Sequence, residues 1–152
     1  MTAKKFVPRP GQVDFTHIRW APVVNCVLRY HDMILLVQRN PSLRLYPGYW
    51  NGVSGFIDDD RSLEEKVKQE IGEEVGIAEE HVRTIKLGTI FHQDEPKYHK
   101  TWIIHPVLVD VDTDMVRLDW EAATYQWVKP EEATQYTLVP GFERVLTSLG
   151  LI

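Results

Sequence analysis

Ser62-Leu63-Glu64-Glu65-Lys66-Val67-Lys68-Gln69-Glu70-Ile71-Gly72-Glu73-Glu74-Val75-Gly76 is a stretch that marks both of its own ends. Ser62 with Glu65 three residues later forms a capping box, in which hydroxyl and carboxylate satisfy the free amides of a starting helix. Leu63, Val67, Ile71 and Val75 recur every four residues and form one apolar stripe. Gly76 supplies a C-terminal stop. The pattern predicts a helix over residues 63–75, with Gly72 inside it costing about 1 kcal/mol relative to alanine and requiring packing to offset it.

Working outward, Pro22 to Arg29 and Met33 to Gln38 read as two strands joined by a His31-Asp32 turn, hence a hairpin. Asn40-Pro41-Ser42 and Pro47-Gly48 make residues 39–50 a loop. Gly52 to Ile57 reads as a short strand ending in a tight turn. After the helix, Val82 to Phe91 and Thr101 to Val111 read as long strands, with His92 to Lys100 a polar loop between them. Ala123 to Val128 is a further strand, Glu131 to Ala133 a helical turn, and Pro140 to Leu149 a closing helix with Gly150 at its end. Strands on both sides of a central helix, with a second helix last, predict an α/β or α+β fold: a mixed sheet flanked by helices. Residues 1–20 read as an arm or edge segment and residues 21–152 as one domain.

The chain has 152 residues, the size of one domain. It is 43% apolar and 26% charged, as expected of an ordinary globular protein. No apolar run approaches the roughly 20 residues that span a bilayer, and residues 1–10 lack the apolar stretch of a secretory signal. The formal charge of −5 argues against duplex nucleic acid or anionic membranes as main partners. A small phosphorylated ligand screened by metal ions fits this balance. Cys26 is the only cysteine, which excludes an internal disulfide and points to a reducing, cytoplasmic compartment. Its apolar neighbours predict a buried strand residue.

Glu70, Glu73 and Glu74 fall within roughly 100° of helical arc, beside the apolar stripe. Carboxylates this close raise one another's pKa, and a divalent cation removes the conflict. Oxygen-only ligands favour Mg²⁺ or Mn²⁺ over zinc. In isolation the same pattern is also that of a solvated acidic face. The Gly-bearing turn and acidic loop that lead into the helix favour the metal reading.

Gly55-Phe56-Ile57-Asp58-Asp59-Asp60-Arg61, followed by Gln69-Glu70-Ile71-Gly72-Glu73-Glu74-Val75-Gly76-Ile77, resembles the Nudix box. The likeness extends to Leu35–Arg39, Pro47–Trp50 and Tyr125–Glu132. It implies an α/β/α sandwich, with the box as loop, helix and loop. It also implies metal-dependent hydrolysis of a nucleoside diphosphate linked to another group. The metal-site set it implies is Gly55, Glu70, Glu73 and Glu74, the three glutamates being catalytic and the ion Mg²⁺ or Mn²⁺. A further carboxylate is expected from outside the helix, with Glu121 the first candidate and Glu95 the second. Arg39 and Arg44 are the candidate phosphate contacts, so these four residues are expected to face substrate or, alternatively, solvent. Tyr46, Trp50, Phe91, Tyr98 and Trp102 are candidates to stack a base, with core packing the stronger reading for Trp102. His92, His99 and His105 lack metal-ligand spacing.

Two positions depart from the box. Arg61 stands where the pattern has a glutamate, and Gln69 where it has the arginine that orients the next glutamate. Either Arg61 swings back to serve the carboxylates, or it points into solvent, since eight residues of helix would span roughly 12 Å. These departures support a second reading, a non-catalytic nucleotide-binding regulatory domain. A third, an isopentenyl diphosphate isomerase, needs a cysteine shortly after Trp50, where this chain has Gly52, Val53 and Ser54. A homodimer is expected from the resemblance and the arm.

Overall fold

The computed structural model describes residues 7–152. Eight strands form one mixed sheet: β1 Trp20–Tyr30, β2 Met33–Arg39, β3 Trp50–Asn51, β4 Val53–Phe56, β5 Val82–Leu87, β6 Phe91–Glu95, β7 Lys100–Val111 and β8 Ala122–Val128. Two α-helices flank it, α1 Leu63–Val75 and α2 Phe142–Ser148. β1 lies at the centre. It runs parallel to β7 from the pair Trp20 and Thr101 to the pair Arg29 and Asp110. Its other edge is shared by β4 over Val23–Cys26 and by β2 at the hairpin end. β2 pairs with β8 along Ile34–Arg39 and, at Val37 and Gln38, with β3 on its other edge.

Alternation along β1 divides the core. Val24, Cys26 and Leu28 pack with Val67, Ile71 and Val75 of α1, whereas Ala21 and Val27 join Phe142, Val145 and Leu146 of α2. The result is the expected α/β/α sandwich. Cys26 is fully buried. The capping box on α1 is complete, with Glu65 N donating to Ser62 Oγ at 3.1 Å, and Gly76 closes the helix at φ 67°.

Three predicted elements are corrected. The strand expected over 82–91 stops at Leu87 and resumes at Phe91, and the loop expected over 92–100 is strand β6 plus a 3₁₀ turn at Pro96–Tyr98. Both pieces pair antiparallel with β7, and the break faces Pro106. Pro106 has no N–H to donate to a strand there; its carbonyl accepts from Gly88 N at 2.8 Å. The polar residues His92, Gln93 and Asp94 hide a strand because only Phe91 of β6 turns into the core. The closing helix begins at Phe142 rather than Pro140, because Gly141 enters it at φ 95°.

Residues 1–6 of the expected arm lie outside the described residues. Residues 7–19 contain no strand or helix, and they lie against the sandwich. Phe15 stacks on Phe56, and the buried Lys100 Nζ donates to the carbonyls of Phe15, Thr16 and Ile18. Among the described residues no helix is long and apolar enough to cross a membrane.

Candidate functional site

A cavity of about 300 Å³ opens between the end of α1, the loop after β4 and the start of α2. One end is charged and includes Asp58, Glu70, Glu73, Glu121 and Arg39. The other is apolar, with Phe56, Trp102, Ile104 and Phe142, and Tyr46 and Asn25 also line it. Helical spacing brings Glu70, Glu73 and Glu74 to one side of α1, as their arc requires.

Glu70 lies against Gly55 of β4. A Cβ on Gly55 would sit 2.4 Å from the Glu70 carboxyl carbon, so only glycine admits the carboxylate there. Burial raises Glu70 to about 7, with Glu73 and Glu121 adding repulsion and Lys66 opposing both. Lys66 is a residue that the sequence reading passed over. It is 3% exposed, and its Nζ stands 2.9 Å from Asp58 Oδ1 and 3.6 Å from Glu70 Oε1. The available signal was its row: Lys66, Glu70 and Glu74 repeat every four residues directly beside the buried stripe.

Glu73 takes a different partner. Gln69 Nε2 donates to Glu73 Oε1 at 2.9 Å, while Arg61 Nη1 donates to Gln69 Oε1 and Arg61 Nε pairs with Asp59 at 3.1 Å. Arg61 therefore swings back rather than pointing into solvent. The roughly 12 Å of helix between the two positions is nearly all present, since α1 starts at Leu63, and the long Arg61 and Gln69 side chains bridge it. The side chain ends on Gln69, not on a carboxylate of α1.

Glu74 is brought to Glu121 by the end of the helix itself. The last carbonyls of α1 lack intrahelical donors; Arg117 N donates to Val75 O at 2.9 Å and Asp119 N to Glu74 O at 3.2 Å. This fastens the loop before β8 onto α1, and Asn40 N holds Glu121 O at 2.8 Å. The Glu74 and Glu121 carboxylates stand near enough to repel one another. Burial first, then mutual repulsion, lifts Glu74 well above the usual carboxylate range; Glu121 is raised for the same leading cause, and Arg39 opposes both shifts.

Of the other candidates, Arg39 lines the cavity and anchors the following loop by donating from Nε to Leu45 O at 2.8 Å. Arg44 is exposed, and neither Arg44 nor Glu95 lines the cavity. Tyr46 accepts from Trp102 Nε1 at 2.8 Å, which fixes both rings. Trp50 packs edge-on to Tyr136.

Among the described residues no three carboxylate, imidazole or thiol groups stand at ion-holding spacing. Glu70 and Glu73 instead take protein partners, Lys66 and Gln69. The donor set nonetheless suits a hard divalent cation: it is all oxygen, partly buried, and crowded with carboxylates whose repulsion such an ion would relieve.

The NUDIX domain family matches residues 19–149. The nucleoside triphosphatase NudI of Shigella flexneri is 24% identical over 143 residues, 89% of this chain and 100% of that protein. The CTP pyrophosphohydrolase of Escherichia coli (strain K12) is 29% identical over 128 residues, 78% of this chain and 82% of that one. Among solved structures, the NUDIX domain of Shewanella oneidensis NrtR complexed with ADP ribose has a TM-score of 0.72 at 20% identity, covering 86% of each chain. A C. elegans Ap4A hydrolase binary complex has a TM-score of 0.68 at 16% identity, covering 86% of this chain and 95% of the other. Both structural likenesses are likenesses of fold.

Proposed function

The chain belongs to the NUDIX family and is a Nudix hydrolase, and from that premise we propose that it cleaves the diphosphate linkage of a small nucleotide or nucleotide derivative with Mg²⁺ or Mn²⁺. The observation that carries this reading is the two-ended cavity: carboxylates at one end and aromatic and aliphatic walls at the other, within about 300 Å³. A diphosphate is recognised by charge and a base by apolar faces, so one small ligand satisfies both ends. The relatives named above as a nucleoside triphosphatase and a CTP pyrophosphohydrolase act on substrates of this kind.

Glu70, Glu73, Glu74 and Glu121 would hold the ion, with Gly55 giving Glu70 room. A bound divalent ion neutralises diphosphate charge and acidifies water. Arg39, facing Glu74 and Glu121, is poised to meet a phosphate oxygen. Trp102 and Phe56 form the wall against which a base would stack. The reaction is read as cytoplasmic, in keeping with the single thiol Cys26.

A panel of nucleoside triphosphates, nucleotide sugars and dinucleotides with Mg²⁺ or Mn²⁺ tests the proposal, with released phosphate, diphosphate or monophosphate as readout. At least one member should turn over, and Glu74→Gln should weaken Mn²⁺ binding by calorimetry about tenfold or more. Tight nucleotide binding without turnover would transfer the chain to the regulatory reading. Equal Mn²⁺ affinity in the two proteins would sink the ligand assignment.

A further inference from the structure

Lys66 sits in the interior face of α1, where a lysine is rare unless paired. Its nearest partner, Asp58, is also buried, and both of its carboxylate oxygens are used: Oδ1 meets Lys66 Nζ at 2.9 Å and Oδ2 accepts from Gln12 Nε2 at 2.7 Å. The Asp58 carbonyl accepts from Val13 N at 2.7 Å. Asp58 is therefore fixed by the segment ahead of β1, and it fixes the ammonium in turn. The remaining reach of that ammonium is toward Glu70, 3.6 Å away.

Glu70 is also confined by Gly55, against which its carboxylate leaves no room for a methyl group. The adjacent Gln69 contributes nothing to it, being engaged with Arg61 and Glu73. Arg39 faces Glu74 and Glu121 instead. Among the described residues, Lys66 is the cation in salt-bridge contact with Glu70.

We propose that Lys66, held by Asp58, is the positioning residue that sets the Glu70 carboxylate for the hydrolytic reaction, a role the residue next to Glu70 does not perform. The inference rests on the hydrolase reading and assigns Lys66 no contact with substrate. A lysine four residues before a glutamate on an exposed helix is the weaker ordering of such a pair. Burial and the third member, Asp58, make this one a directed contact. A carboxylate packed against backbone at Gly55 and contacted by an ammonium is restrained in orientation while it still lines the cavity.

The test compares wild type with Lys66→Met, reading melting temperature, Mn²⁺ affinity by calorimetry, and kcat and KM at saturating Mn²⁺. Methionine keeps the bulk and removes the charge. The expected result is a kcat lowered about tenfold or more with KM within about twofold. Mn²⁺ should bind about fivefold more tightly, since a unit positive charge has left the neighbourhood of a ligand. If burial of an unpaired Asp58 unfolds that variant, Lys66→Met with Asp58→Asn removes the pair together and carries the kinetic comparison. A folded variant with kcat within twofold of wild type overturns the proposal. So does a loss of kcat that merely follows weaker Mn²⁺ binding, the signature of a general structural role. Absence of turnover in wild type would defeat the hydrolase reading by itself. Lys66 would then stand on the Mn²⁺ comparison, in which unchanged or weaker binding by Lys66→Met overturns its placement at Glu70.

Discussion

Glu70 is the residue where burial and charge meet most directly. Its side chain is 13% exposed, and burial lifts it to about 7. An acid whose folded pKa lies above its unfolded value binds its proton more tightly when folded. Folding then becomes less favourable as pH rises between the two values, here from about 4.5 to about 7. Glu74 and Glu121 are raised as well and act in the same direction. Thermal melts of the metal-free protein should therefore show a melting temperature that falls over this window, and Glu70→Gln should flatten the slope. A melting temperature that rises across the window in wild type would refute the burial of these carboxylates. In stronger acid the sign reverses, because Asp110 is held below the usual range by the Arg29 guanidinium and loses that contact on protonation.

At the scale of elements, α1 is the part that carries the chemistry, and its two ends are secured by different means. The N-terminus is local: Ser62 and Glu65 exchange hydrogen bonds within four residues. Removing the hydroxyl by Ser62→Ala should cost about 1 kcal/mol. That lowers the melting temperature by about 3 °C in a domain of this size, measurable by calorimetry. Turnover should persist, because Ser62 is exposed and does not line the cavity. The C-terminus is not local. Gly76 gives the turn, but the carbonyls of Glu74 and Val75 are satisfied from Asp119 and Arg117, more than forty residues on. The same contacts carry Glu121 to Glu74. The break between β5 and β6 has a comparable origin, since the residue that interrupts the strand, Pro106, belongs to its partner.

Across the whole molecule, residues 7–19 tie the sheet to the charged end of the cavity. Gln12 and Val13 hold Asp58, and Phe15, Thr16 and Ile18 offer their carbonyls to Lys100, which is 4% exposed. An ammonium that meets three carbonyls is an effective clasp, because outside the Ile18 N–Phe15 O turn contact those groups lie beyond any strand or helix. Lys100→Met should free this segment, read as faster proteolytic cleavage between residues 7 and 19 in the folded protein. Cleavage at the wild-type rate would show that the Phe15–Phe56 stack suffices to hold it.

The bounds of α1, the β1–β2 hairpin, the buried Cys26 and the shared side of Glu70, Glu73 and Glu74 were determined by the sequence itself. Each depends on hydrogen bonds or side-chain periodicity within a few residues, which the order of amino acids specifies directly. The tertiary structure alone decided that Arg61 turns back to Gln69, that Glu121 rather than Glu95 joins the cavity, and that Lys66 is buried against Asp58 and Glu70. Those outcomes depend on which distant segments pack together, and the burial that gives Lys66 its partners exists only once β4, the loop after it and the segment before β1 have closed over one face of the helix.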